Sequence, residues 1–129
     1  MELSFFWLPT SEGKGILGEL DDRGVLSFAI QAGPTSSIRG TEMFNRMLDF
    51  FGDRVNSIRG YWLKRLDEPS TNIDKVNELL EAGLPLGQAI QHAWTVTRAR
   101  KRGFVHLAIV DAVESSPGFY RKVEVLMTR

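Results

Sequence analysis

The chain has 129 residues, 43% apolar and 25% charged, with 16 Lys/Arg balanced by 16 Asp/Glu. That composition fits a single globular domain over residues 1–129 and excludes a disordered chain. It has no cysteine, which excludes disulfides, a thiolate nucleophile and a thiolate zinc site; its apolar runs, such as 5–8 and 107–110, fall far short of the roughly 18 residues a membrane-spanning helix needs. The first residues lack the basic start and small-residue cleavage site of a signal peptide, so a cytoplasmic site of action is expected.

Residues 3–8 form an aromatic, apolar run stopped by Pro9, which predicts a strand buried on both faces. A polar glycine loop at 10–15 follows. Residues 16–20 and 25–30 then flank Asp21-Asp22-Arg23-Gly24, where Asp at the first turn position and Gly at the fourth favour a tight reversal and hence a hairpin. After a loop at 33–37, Thr41 is expected to cap a helix running to about Phe51. Met43, Met47, Phe50 and Phe51 recur at helical spacing, and Gly52 stands where a left-handed terminal residue is wanted.

Residues 55–63 predict a strand with Ile58, Gly60 and Trp62 on one face, the glycine marking close approach by a backbone or a ring. A turn at 67–70 leads into a helix capped by Thr71 with Asp74, burying Ile73, Val76, Leu79 and Leu80 and ending at Gly83. Pro85 opens one more helix as a first-turn proline, and this helix is expected to run to Gly103. Its apolar stripe is Leu86, Ala89, Ile90, Ala93 and Trp94, with Gln88, Gln91, Thr95, Arg98 and Arg102 opposite. On that wheel Arg100 and Lys101 turn towards the apolar side, so the helix has to fray, bend or snorkel near its end. Residues 105–113 and 119–127 form a last hairpin through Ser115-Ser116-Pro117-Gly118. The expected fold class is α+β: an antiparallel sheet of about five or six strands with three helices packed on it.

Charge is unevenly spread. Residues 1–85 carry 9 Lys/Arg against 13 Asp/Glu, a net of −4, and residues 86–129 carry 7 against 3, a net of +4. RNA or an acidic protein surface is therefore the expected partner of the C-terminal part. The densest run is Arg98, Arg100, Lys101 and Arg102, with Trp94 and Phe104 as stacking rings beside phosphate-binding cations. The helix dipole also favours cations at a helix C-terminus, an explanation that needs no ligand.

His92 and His106 are the two histidines. With Thr95 and the neighbouring cations they form a candidate acid–base set for cleaving an RNA phosphodiester, chemistry in which cations hold the phosphate without a metal. Two unrelated histidines, on the surface or half-buried, are the plainer alternative. Gly13-Lys14-Gly15-Ile16-Leu17-Gly18 has the spacing G-x-G-x-x-G, but a dinucleotide site needs a helix to begin there, and the chain runs on into hairpin chemistry. Neither H-E-x-x-H nor G-x-S-x-G occurs, so no metal and no cofactor are expected.

The order Arg39-Gly40-x-x-Met43-Phe44, Val55-x-x-Ile58-x-Gly60-x-Trp62, Asn72 and Asn77, Gly83-Leu84, Trp94-Thr95, Ala99-x-x-x-Gly103-Phe104 and Gly118-x-Tyr120-x-x-Val123-x-Val125 resembles the C-terminal domain of bacterial polymorphic, contact-dependent toxins carried on secreted repeat proteins. The similarity covers residues 24–127, with Arg98 where the pattern has a glycine. It implies a bacterial effector-like domain of unassigned activity and names no catalytic residue. The ending, Ala99-x-x-x-Gly103-Phe104 followed by two strands, also resembles acetyltransferases of the GNAT type, whose central helix opens on a Gln/Arg-x-x-Gly-x-Gly/Ala loop that is missing here. The other reading is a non-catalytic module that binds a protein through exposed aromatics and the polar face of the helix opened by Pro85.

Overall fold

The computed structural model describes residues 2–8, 14–31, 39–65 and 69–129. The loops expected at 10–15 and 33–37 and the turn at 67–70 lie wholly or partly outside the described residues. Six strands, β1 (Leu3–Trp7), β2 (Gly15–Leu20), β3 (Val25–Gln31), β4 (Ser57–Leu63), β5 (His106–Ser116) and β6 (Phe119–Thr128), form a mostly antiparallel sheet in the order β1-β2-β3-β4-β6-β5. With the helices α1 (Gly40–Phe51), α2 (Thr71–Glu81), α3 (Leu86–Ile90) and α4 (Trp94–Lys101), this is an α+β fold. The chain divides into two compact units, Met1–Ile58 and Arg59–Arg129, with the boundary inside β4.

In the first unit, β2 and β3 form the expected hairpin. Asp21 Oδ1 accepts the N–H groups of Arg23 at 2.8 Å and Val25 at 2.9 Å, and Gly24 takes a φ of 77°. These bonds hold the Asp21 carboxyl below its ordinary pKa, the Val25 N–H contributing most. The glycine-spaced stretch from Gly15 onward lies in β2, so no helix N-terminus is there to receive a pyrophosphate. The strand β1 is not buried on both faces: it is an edge strand, and Phe6 is 69% exposed. On the other face Phe5 meets Phe50 at 5.1 Å between ring centroids. An apolar run tells how much hydrophobic surface a strand carries, not how many neighbours will cover it.

The helix α1 buries Met43, Phe44, Met47, Leu48 and Phe51; of the residues its periodicity predicts, Met43, Met47 and Phe51 are on this face, while Phe50 is 49% exposed at its edge. It starts at Gly40 with Arg39 in the cap position, so Thr41 lies in the first turn rather than at the cap. It rides close on β2: a Cβ at Gly18 would stand 2.5 Å from Met47 Sδ. The pairs Val25↔Ser57 and Leu26↔Ile58 join β3 to β4 in parallel, with α1 as the crossover.

In the second unit, Gly60 answers the expectation of a close ring, since a Cβ there would come within 2.8 Å of the Trp62 ring and 2.9 Å of Val125. Val123, Val125 and Met127 on β6 are buried and alternate with half-buried residues. The hairpin β5–β6 runs from His106↔Thr128 to Ser116↔Phe119 with register shifts on the way. Ser70, not Thr71, caps α2, and Asp74 Oδ2 reaches back to the Ser70 N–H at 2.8 Å while Oδ1 meets Lys64 Nζ at 2.7 Å. At its other end Leu84 N–H bonds Leu79 O and Gly83 N–H bonds Leu80 O, with Gly83 at a φ of 102°. That is the Schellman arrangement, which satisfies carbonyls the helix leaves open.

The last predicted helix is two helices. Pro85 occupies the cap position of α3 rather than its first turn. The N–H groups of Gln91, His92 and Ala93 bond the carbonyls three residues back, so the end of α3 tightens, and Ala93 then becomes extended at φ −62°, ψ 146°. Ala93 brings no side-chain cap to α4. Asn72 supplies it from α2: its Oδ1 accepts the Thr95 N–H at 2.9 Å, and its Nδ2 donates to Thr95 Oγ1 at 3.0 Å. This break resets the helical phase. Thr95, Val96 and Ala99 become the buried face, and Arg100 and Lys101 are exposed, which resolves the conflict a continuous helix would create.

Candidate functional site

On α4, residues advance by about 100° per step. With Thr95, Val96 and Ala99 facing inward, the outward stripe consists of Trp94, Thr97, Arg98 and Lys101. The Arg98 guanidinium lies 4.5 Å from the centroid of the Trp94 ring. Its Nη1 donates to Thr97 Oγ1 at 3.0 Å, and that hydroxyl donates to Trp94 O at 2.9 Å. Desolvation by partial burial draws the Arg98 pKa below its ordinary value, yet a guanidinium remains charged at neutral pH. Arg98 is thus a fixed, planar cation rather than a mobile one.

One turn on, Arg100 and Lys101 are exposed, and among the described residues neither pairs with a carboxylate. Arg102 is half-buried at the cap position, and Phe104 N–H closes the helix on Ala99 O at 3.1 Å with Gly103 at a φ of 93°. Phe104 is buried, and Arg129 sits 4.6 Å over its ring, so this ring does not stand beside the cations as a free stacking face.

The three acids of residues 86–129 are engaged on the hairpin. Asp111 bonds Lys122 Nζ at 2.8 Å, which is the main reason its carboxyl titrates below its ordinary value. Glu124 bonds Arg59 Nε at 2.7 Å. Glu114 accepts the Gly118 N–H at 2.9 Å and meets the Tyr120 hydroxyl at 3.4 Å.

His92 is exposed in the break between α3 and α4, and His106 is exposed at the first residue of β5, in register with Thr128. Among the described residues no hydrogen bond orients either imidazole or joins the two. The third member of that set is different in kind. Thr95 is 2% exposed, and its hydroxyl is held by Asn72. Its N–H receives the cap that Asn72 supplies to α4 and its side chain packs inside, so a substrate has no path to it as it stands. The described residues contain no group of three or more His, Cys, Asp or Glu placed to hold a metal.

Two shallow grooves of this unit, of about 380 and 600 Å³, are lined from Tyr61, Trp62 and Asn72 and from Lys64, Asp74 and Phe119 respectively. Neither the histidines nor the basic turn lines them.

Sequence reasoning names Asn72 and Asn77 only as pattern positions. Asn77 is buried and bonds both backbone groups of one residue of β6, donating Nδ2 to Tyr120 O at 3.0 Å and accepting the Tyr120 N–H at 2.8 Å. The signal for it is present in the sequence: an amide four residues after Ile73, on the apolar face of a helix, needs a buried partner. Comparison of the chain with protein-family models, curated proteins and solved structures gives no match.

Proposed function

We propose that this chain is a small effector-like domain that binds nucleic acid, RNA in the first instance, through the C-terminal turn of α4. The observation that carries the reading is a separation of charge within residues 86–129: all three acids are engaged on the β5–β6 hairpin, while Arg98, Arg100 and Lys101 gather in one helical turn. A phosphate backbone that meets such a turn releases counterions, and binding follows. The likeness to toxin C-terminal domains supports a target inside a bacterial cell.

The test is a titration of a labelled single-stranded RNA by fluorescence anisotropy between about 50 and 200 mM salt. The Arg100→Ala, Lys101→Ala variant is expected to weaken binding and to flatten the log K against log salt line by about 1.4, some 0.7 for each phosphate that is no longer neutralised. No binding by the parent chain at low salt refutes the proposal. Cleavage by His92 and His106 is the stronger form of it; loss of RNA breakdown in the His92→Ala, His106→Ala variant with binding retained would support that form.

A degenerate acetyltransferase of the GNAT type is the second reading, and one observation favours it. The β3–α1–β4 segment is a parallel crossover, and ligands of open sheets gather at the carboxyl ends of such strands, near a helix N-terminus. The residues that open α1 weigh against it. From Arg39 they read Arg-Gly-Thr-Glu-Met-Phe, with Glu42 and Phe44 where the loop of that family has small residues. Glu42 would repel a pyrophosphate, and the Phe44 ring is fully buried. Saturable binding of acetyl-CoA in calorimetry would reverse this order of preference.

A further inference from the structure

Resting on the nucleic-acid reading above, the structure assigns a strand preference to it: we infer that the Trp94–Thr97–Arg98 stack is a base-stacking platform that makes α4 select single-stranded over double-stranded RNA. An arginine that served only as a phosphate-binding cation would gain from staying extended and mobile. Arg98 is instead held over the Trp94 ring, its guanidinium carbon 4.5 Å from the ring centroid, and bonded to Thr97 Oγ1, which is itself tied to the Trp94 carbonyl. The cost of ordering a long side chain is met in the free protein.

A planar guanidinium ordered over an aromatic ring is a stacking partner for an unstacked base. Bases inside a duplex already stack on each other and expose only edges and phosphates to such a plane. The same outward stripe continues to Lys101, three residues and about 4.5 Å further along the axis. A base laid on Arg98 therefore has an ammonium within reach of its phosphate, the pairing of stacking ring and cation that sequence-tolerant single-strand binders use.

Arg98→Lys is the deciding variant, because it keeps the charge and removes the plane. Affinities of the parent and the variant are measured for a labelled 12-nucleotide single strand and for the same sequence in a duplex, at one salt concentration. The parent is expected to prefer the single strand, and Arg98→Lys to lower the ratio of the two affinities by roughly tenfold. Circular dichroism and the melting temperature of the variant check that it folds. If that ratio stays the same in a folded variant, while Arg100→Ala, Lys101→Ala still weakens binding, the platform is wrong and the basic turn stands. A parent that prefers the duplex also overturns the platform. A parent that binds neither RNA overturns the platform and the nucleic-acid reading together.

Discussion

Replacing Asn72 tests the account of the helix break most directly. Asn72→Ala removes both bonds to Thr95, a residue only 2% exposed. Losing the cap on the Thr95 N–H costs about 1 kcal/mol, and leaving the buried hydroxyl without its donor costs about 1–3 kcal/mol more. The sum, about 2–4 kcal/mol, is a large share of the roughly 5–15 kcal/mol that holds a domain of this kind. For a chain of this length it corresponds to a fall in Tm of about 4 °C per kcal/mol. Asn72→Asp should behave differently. The carboxylate still accepts the Thr95 N–H, the threonine hydroxyl can rotate to donate to it, and a negative charge suits a helix N-terminus by about 0.3–1 kcal/mol. Its expected cost is below about 1 kcal/mol. Urea unfolding of Asn72→Ala, Asn72→Asp, Thr95→Val and the double variant Asn72→Ala, Thr95→Val gives the magnitudes, and the double variant should cost about 0.5–3 kcal/mol less than the two single changes added. Equal costs for the alanine and aspartate variants, or a cost of Asn72→Ala under about 0.5 kcal/mol, would show that α4 is not held by this amide.

The other outcomes concern β6, the core and acid stability. Asn77→Ala should speed hydrogen exchange at the Tyr120 amide well beyond its effect on β6 residues near Thr128, because Asn77 accepts that N–H directly and also bonds the carbonyl of the same residue; uniform acceleration along β6 would contradict this. Gly60→Ala forces a methyl against the Trp62 ring and Val125 Cγ2 and should cost about 1–3 kcal/mol in urea unfolding, so a neutral variant would mean the ring can move aside. For Asp74, burial alone would raise the pKa, but the Lys64 ammonium and the Ser70 N–H together outweigh it and the carboxyl titrates below 3.8. A depressed folded pKa gives stability that is present above the unfolded value and lost as pH falls through the folded one. Asp74→Asn should therefore flatten the fall of Tm with pH below 3.8, and an unchanged slope would remove Asp74 from the acid transition.

What the sequence discloses of this fold is what short-range chemistry decides. The turn at Asp21–Gly24 needs one carboxylate and one residue with positive φ, both within four positions, and both are in place. The ends of α2 and α4 are marked by Gly83 and Gly103, because the left-handed residue that closes a helix is nearly always glycine. The face of α1 follows from periodicity for Met43, Met47 and Phe51, though not for Phe50. The break at residues 91–93 has no such local marker. Gln91, His92 and Ala93 are all compatible with a continuous helix, and the group that stabilises the interruption, the Asn72 amide, lies 23 residues from Thr95. The one hint is the awkward position of Arg100 and Lys101 on a continuous wheel.

The same distance separates what is legible of the candidate site from what is not. The basic run is visible as letters, and its charge asymmetry is a property of composition. Whether the rings near it are free is a matter of packing. Trp94 and Phe104 carry equal promise in the sequence, yet Phe104 is core and Trp94 becomes the base of a stack with Arg98. Thr95 illustrates the opposite error. A threonine one residue from a tryptophan and three from an arginine reads as a site residue when the helix is continuous, and as the buried residue that Asn72 caps once the helix restarts at Trp94. The helical phase therefore decides which residues of α4 can meet a ligand, and Asn72 decides the phase. A change at Asn72 that let α3 and α4 merge would turn Trp94, Arg100 and Lys101 towards the apolar side without touching a single cation, so RNA binding and the stability of the break should fall together in Asn72→Ala and recover together in Asn72→Asp.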